Sequence, residues 1–312
     1  MPYIISDKNM EIVSTDCNYS FCKMENDIDM LKQRYPFLEI GTAGKSILGK
    51  KLYYLKLGNG PNKVFYNAAH HSLEWITSVL LMKFSEDFLN AYSKKIKLRN
   101  YSIEKIWDNT SIYIMPMVNP DGVNLVLGIL KPEDFNIKNE AEVDLKSIWN
   151  ANICGVDLNR NYPALWNLAK AQEPQLGIKG PGPTRYGGPF PLSEPETSSV
   201  IDFTRKNNFQ LVIAFHSQGS EIYWKFQNHA PKRALTIAKN FSKLSGYSVS
   251  EAPVEASYAG YKDWFIQEYK RPGYTIEVGL GKNPLPINQF SQIYNDNIEI
   301  LLTAAISCAH DF

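Results

Sequence analysis

Five histidines occur in the chain. Two of them stand side by side in the stretch YNAAHHSLEWITS, Tyr66 to Ser78, with Glu74 three residues after His71. An imidazole and a carboxylate are two of the three protein donors that a catalytic zinc site takes, its fourth position being kept for water or substrate. The spacing by itself is a weak signal, because an ordinary strand-to-helix turn carries such residues too, so the flanking elements have to decide. The run KVFYNAA reads as a strand, and from Glu74 onward Ile76, Val79, Leu80, Phe84 and Phe88 fall on one stripe of an amphipathic helix. His71 therefore leaves a strand and Glu74 sits in a first helical turn, where the helix dipole favours a carboxylate. A third donor is needed. His216 follows the continuous apolar run LVIAF, at the carboxyl edge where open α/β sheets gather their ligands. His70 has no acid at the matching offset and is the poorer candidate.

The elements that must position these groups alternate in type. KKLYYLKLG alternates apolar and polar residues, TSIYIMPMV is a further strand stopped by the turn NPDG, and GYTIEVG is a last strand carrying Glu277. Strands interleaved with helical runs predict an α/β fold with a central sheet covered on both sides, here one domain over residues 1–312 with about 1–45 as a helical lead-in. The Gly/Pro-rich stretch GIKGPGPTRYGGPFPLSEPE predicts a long ordered loop, of the kind usually tied to function. Lysines and arginines number 33 against 32 acids, so no field of one sign points to nucleic acid or an anionic membrane, and no protein partner is implied. The start, MPYIISDKNMEIV, has no basic segment followed by an apolar core, and no apolar run reaches membrane length, which predicts a cytoplasmic protein. Cys17, Cys22, Cys154 and Cys308 lack paired spacing and read as idle thiols.

Taken together, HSLE, GVDLNRNYP, YGGPFPLSEPET, AFHSQG and YTIEVG resemble the signature blocks of the zinc carboxypeptidases, in that order, from about Lys51 to Gly279. Within that family YPFLEIGTAGKSILGKKLYYLKLG and AGYKDWF are most similar to the bacterial γ-D-glutamyl diamino-acid endopeptidases, which cut cell-wall peptides beside diaminopimelate. The resemblance implies a three-layer α/β/α fold with a mixed central sheet. It implies one zinc ion per chain, held by His71, Glu74 and His216, with Glu277 as general base and proton shuttle. Asn159 and Arg160 match the pair that grips the free carboxylate of the substrate, where a planar guanidinium makes two parallel hydrogen bonds. Lys262 falls near the base of the specificity pocket, where a cation would prefer an anionic side-chain end such as that of diaminopimelate. The implied substrate is a short peptide or muropeptide, met in recycling or sporulation.

Two positions depart from the digestive members of the family. Their carbonyl-polarising arginine should lie in IWNANIC, where Asn150 and Asn152 stand and no basic residue does, so either asparagine could supply a neutral donor. The mobile tyrosine also lacks a clear equivalent: Glu255 falls near its place, with Tyr258 and Tyr261 close by. Tyr261 is taken as a substrate contact, against the alternative that these tyrosines only pack a surface loop. Three rival functions remain at this stage: a general zinc carboxypeptidase, an aspartoacylase-type deacylase, and a peptide-binding module without activity.

Overall fold

The structure is a computed structural model and describes residues 11–135, 144–253 and 257–308. The strands are β1 (Glu39–Lys45), β2 (Lys51–Leu57), β3 (Asn62–Ala68), β4 (Lys97–Leu98), β5 (Tyr101–Ser102), β6 (Thr110–Met115), β7 (Leu211–His216), β8 (Glu221–Tyr223), β9 (Ser248–Ser250) and β10 (Gly273–Glu277). The α-helices are α1 (Phe21–Arg34), α2 (Ile76–Ser93), α3 (Ile103–Asn109), α4 (Pro120–Val126), α5 (Trp166–Gln172), α6 (Pro195–Asn207), α7 (Ala234–Ser245), α8 (Tyr261–Tyr269) and α9 (Phe290–Ser307). Among the described residues eight strands form one mixed sheet in the order β1-β2-β6-β3-β7-β10-β8-β9, while β4 and β5 make a separate hairpin.

The four central strands, β6, β3, β7 and β10, run parallel, and antiparallel strands flank them. Every residue of β6 and of β7 is buried, as expected of strands covered on both faces. On one face Tyr66, Ile213 and Phe215 pack with residues of α2, α7 and α9, including Leu80, Phe84, Phe241 and Leu301. On the other, Phe65, Val212 and Ala214 pack with Phe203 of α6 and Tyr261, Trp264 and Phe265 of α8. This is the three-layer α/β/α arrangement that the sequence predicts. No helix among the described residues is long and apolar enough to cross a membrane.

Three local expectations need correction. NPDG does turn the chain, but into a helix: the Asn119 side chain accepts the Gly122 N–H at 3.0 Å and Pro120 takes the first position of α4, where its missing N–H costs nothing. The segment read as a helical lead-in supplies α1 and also the edge strand β1. Helix α2 is buried nearly all round rather than amphipathic, because the N-terminal segment covers its charged side. There Glu86 accepts the N–H groups of Ile12 and Val13 at 2.6 and 3.2 Å, and Lys83 bonds to Glu86 at 3.3 Å.

Candidate active site

The parallel order of β3, β7 and β10 brings their carboxyl ends together, and each end delivers one part of the site. Beyond β3, His71 caps a single 3₁₀ turn, Ser72–Glu74, so Glu74 lies just before α2 rather than inside it. The last residue of β7 is His216, and it pairs in register with Glu277, the last of β10. His71 Nδ1 lies 2.8 Å from Glu74 Oε1, His216 Nδ1 lies 2.9 Å from Glu74 Oε2, and the two imidazole nitrogens are 3.3 Å apart. Among the described residues these three side chains form the one group of three His, Cys, Asp or Glu whose donor atoms lie within 4.8 Å of one another. Ligands about 2.0–2.1 Å from a tetrahedral zinc lie about 3.3 Å from each other, so two imidazoles and a carboxylate converging at these distances fit that ion.

Asp157 completes the ligand geometry. Its Oδ1 faces His71 Nε2 at 3.1 Å, the carboxylate–histidine contact that fixes the tautomer and turns the Nδ1 lone pair towards a metal. Burial opposes the charge on both partners, yet it is outweighed: Glu74 and Asp157 raise the His71 pKa well above its ordinary value, and His71 with backbone and side-chain donors holds Asp157 well below the carboxylate range. The pocket is built for positive charge between these acids. Spacing gave no sign of Asp157, because its partner lies 86 residues away.

The same aspartate starts the next part of the site. It caps the short turn Leu158–Arg160, accepting the Asn159 N–H at 3.2 Å, so the residue that steadies His71 also sets the position of Asn159 and Arg160. Asn159 gives its side-chain oxygen to the Tyr261 N–H at 3.1 Å, which leaves its amide nitrogen as a donor. Arg160 is 7% exposed, and burial lowers its pKa against the pull of Asp157. Among the described residues no carboxylate lies within ion-pair distance of its guanidinium. A nearly buried cation in that state calls for an anion from outside. The Gly/Pro-rich loop presses against this turn: a Cβ on Gly187 would come within 2.8 Å of the Arg160 carbonyl, which explains a glycine there.

Glu277 is half-buried between His216 on one neighbouring strand and Glu221 on the other, the latter accepting the Tyr223 hydroxyl. Burial, then the Glu74 carboxylate, push its pKa well above the carboxylate range, with His71 acting the other way. A cation at the three donors would draw it back down.

The remaining sequence expectations divide. His70 stands outside the donor group: fully buried, it bonds the Tyr162 hydroxyl at 2.9 Å and stacks on His216, the ring centroids 5.6 Å apart. Asn152 is unfit as a substrate donor, since its amide nitrogen bonds Glu194 at 2.7 Å and its oxygen accepts two backbone N–H groups. Asn150 keeps its side-chain nitrogen, while its backbone bonds Pro183 and Ser72. Tyr261, expected against substrate, is instead fully buried at the start of α8, its hydroxyl on Thr204 at 2.9 Å and its ring against His70 and Phe65. Tyr258 lines a cavity of about 300 Å³ together with Lys262. Glu255 lies outside the described residues. Lys262 is not a solvated loop residue: it is 5% exposed on α8 and donates to the Lys225 carbonyl at 2.8 Å.

Comparison with known proteins agrees with this geometry. The model of the zinc carboxypeptidase family matches residues 24–300. The γ-D-glutamyl-L-diamino acid endopeptidase 1 of Lysinibacillus sphaericus is 42% identical over 298 residues, covering 93% of this chain and 73% of the relative. The uncharacterized protein YqgT of Bacillus subtilis (strain 168) is 35% identical, covering 92% and 77%. Among solved structures, thrombin activatable fibrinolysis inhibitor superposes with a TM-score of 0.73 at 19% identity, over 98% of this chain and 79% of that one, a likeness of fold. The chain belongs to the zinc carboxypeptidase family and is a zinc-dependent metallopeptidase.

Proposed function

We propose that this peptidase, acting as a single catalytic domain, hydrolyses the γ-D-glutamyl bond to diaminopimelate in short cell-wall peptides. The observation that carries the reading is Arg160: a guanidinium nearly buried beside the metal donors, with no acid of the described residues to pair with it, suits a substrate that brings its own carboxylate beyond the scissile bond. The relative at 42% identity, named for that bond, supports the choice of substrate.

His71, Glu74 and His216 would hold the zinc, which when bound polarises a water and the scissile carbonyl. Glu277 takes the proton of the attacking water and returns it to the nitrogen as the C–N bond breaks, leaving a carboxylate and an amine. Asn159 and Arg160 hold the carboxylate of the released residue and so fix the carbonyl over the site. Asn150 donates a neutral hydrogen bond to the carbonyl oxygen in place of the missing arginine. Lys262, at the wall of the adjoining cavity, favours a released residue whose side chain ends in an anion. An aspartoacylase-type deacylase would not be expected to carry the long SEPET and GVDLNRNYP segments, and a silent binding module would not keep three metal donors beside a base.

The test is a cycle with product masses read by mass spectrometry. Arg160→Ala should cost about 2 kcal/mol or more in kcat/KM, and amidating the substrate carboxylate should cost the wild type a similar amount. In the doubly altered case the losses should not add. Additive losses would show that arginine and carboxylate do not meet, and products other than a free diamino acid end would discard the substrate.

A further inference from the structure

The Gly/Pro-rich loop that packs on the carboxylate clamp brings a second arginine to the site. It runs from the Pro183 carbonyl, which accepts the Asn150 and Ala151 N–H groups at 2.7 and 3.0 Å, through the Tyr186 carbonyl, which accepts the Asp157 N–H at 2.8 Å, to Gly187 against the Arg160 carbonyl. Arg185 lies between these anchors, its own N–H on Asp157 Oδ2 at 2.9 Å. It stands at φ 66°, in the left-handed region that a glycine enters freely and an arginine does not, so the backbone gives no reason for an arginine here. Its side chain is exposed and, among the described residues, has no hydrogen-bond or ion-pair partner. It is nevertheless close to Arg160: burial does most to lower the Arg160 pKa, and the Arg185 charge lowers it further, against the pull of Asp157. Two neighbouring guanidiniums with no acid between them repel each other, and an anion from outside relieves both.

We infer that Arg185 is a specificity-determining residue that holds a second carboxylate of the substrate, on the acyl side of the scissile bond, while Arg160 holds the one on the released side. The course of the loop decides the side. Asn150 serves the carbonyl that is cut and Arg160 the residue that leaves, and Arg185 is anchored between them rather than beyond the clamp. A glutamyl residue joined through its γ-carbonyl keeps its α-carboxylate free, two methylenes from the bond that breaks, where an ordinary α-linked residue carries no such charge. The planar fork of an arginine matches both oxygens of that carboxylate, whereas the amide of an isoglutaminyl residue would turn a donor towards it. A γ-D-glutamyl substrate thus presents an anion on each side of the bond to two arginines that the protein leaves unpaired. This inference rests on the functional reading above and adds that the γ-linked residue is chosen by its free α-carboxylate, through Arg185.

The experiment measures kcat and KM of the zinc-loaded enzyme on three peptides: L-Ala-γ-D-Glu-diaminopimelate, the same peptide with the glutamyl α-carboxylate amidated, and the same peptide with the α-carboxylate of the released residue amidated. Amidating the glutamyl carboxylate is expected to cost the wild type about tenfold or more in kcat/KM, and Arg185→Gln is expected to lose about as much on the unmodified peptide. In Arg185→Gln that amidation should cost less than about twofold, and Arg185→Lys should recover part of the dependence, with zinc content unchanged in both. Amidating the released residue should still cost Arg185→Gln as much as it costs the wild type. If the wild type cuts the acid and the isoglutaminyl peptide within about twofold of each other, or if Arg185→Gln keeps the whole penalty of glutamyl amidation, the inference is overturned while the γ-D-glutamyl reading stands. If Arg185→Gln instead stops responding to amidation of the released residue, the two arginines share that one carboxylate and the inference is overturned as well. If the wild type cuts none of the three, the γ-D-glutamyl reading falls and takes this one with it.

Discussion

Asp157 joins two jobs in one carboxylate: Oδ1 steadies His71 and caps the turn bearing Asn159 and Arg160, while Oδ2 takes the Arg185 N–H at 2.9 Å. An asparagine of the same shape would keep the Asn159 cap through its one oxygen, but would lose the acceptor for the Arg185 N–H and the charge that holds His71 Nε2–H. Asp157→Asn should therefore weaken zinc binding about 10–100-fold, read by competition with a chelator, with a near-native fold by circular dichroism. Unchanged affinity would reduce Asp157 to a turn residue. At this scale the sequence was legible where a residue closes an element and opaque where a contact spans the fold. His71, Glu74, His216 and Glu277 stood out because each sits at the end of a recognisable strand or the start of a helix. Asp157 lay in plain view inside GVDLNRNYP, yet nothing in the spacing connects it to His71. Tyr261 misled for a related reason: YAGYKDWF looks like a polar loop, and only the packing of α8 onto Phe65 and His70 reveals that this tyrosine faces inward.

Two helix starts grip the turn between β1 and β2. Glu196, in the first turn of α6, accepts the Ile47 N–H at 3.1 Å, and Asp121, in the first turn of α4, accepts the Leu48 N–H at 2.9 Å and the Lys50 ammonium at 2.7 Å. Glu196 is fully buried and its second oxygen finds no partner among the described residues. Burial pushes its pKa up to about 7; the Ile47 N–H works against this, and the Asp121 and Glu194 charges add to it. A carboxyl whose folded pKa lies above its unfolded value of 4.5 binds its proton more tightly in the folded state. The stability this confers is complete below pH 4.5 and is lost as pH rises through about 7. Glu196→Gln, neutral throughout, should match wild type at pH 4.5 and exceed it at pH 8, by on the order of 3 kcal/mol at most. Denaturant melts of both proteins at the two pH values decide it, and an equal difference at both would refute the role of Glu196 ionisation. The sequence signal at this scale was sound for type and blurred for detail. NPDG serves equally as a turn and as a capped helix start, so only the carboxylate contacts of α4 distinguish the two readings.

Across the whole molecule the three proposed zinc donors come from two places far apart in sequence, the turn after β3 and the end of β7, strands that lie side by side in the sheet. Without an ion, two imidazole nitrogens and a carboxylate crowd a space where burial disfavours any net charge. With it, one bond set ties β3, α2 and β7 at the edge that carries the chemistry, and an ion that binds only the folded chain stabilises it by mass action. At free zinc a thousandfold above its dissociation constant the gain is about 4 kcal/mol. For a protein of this size that corresponds to a rise in Tm of roughly 6 °C. Chelated and zinc-loaded samples should differ by that much in a thermal melt, and the difference should vanish in His216→Ala and shrink in Glu74→Ala, while His70→Ala, whose ring lies behind His216 and donates nothing to the group, should keep most of it. Retention of the full zinc-dependent rise in His216→Ala, together with one zinc per chain by elemental analysis, would remove His216 from the ligand set and with it the convergence of strand ends on which the proposed mechanism depends.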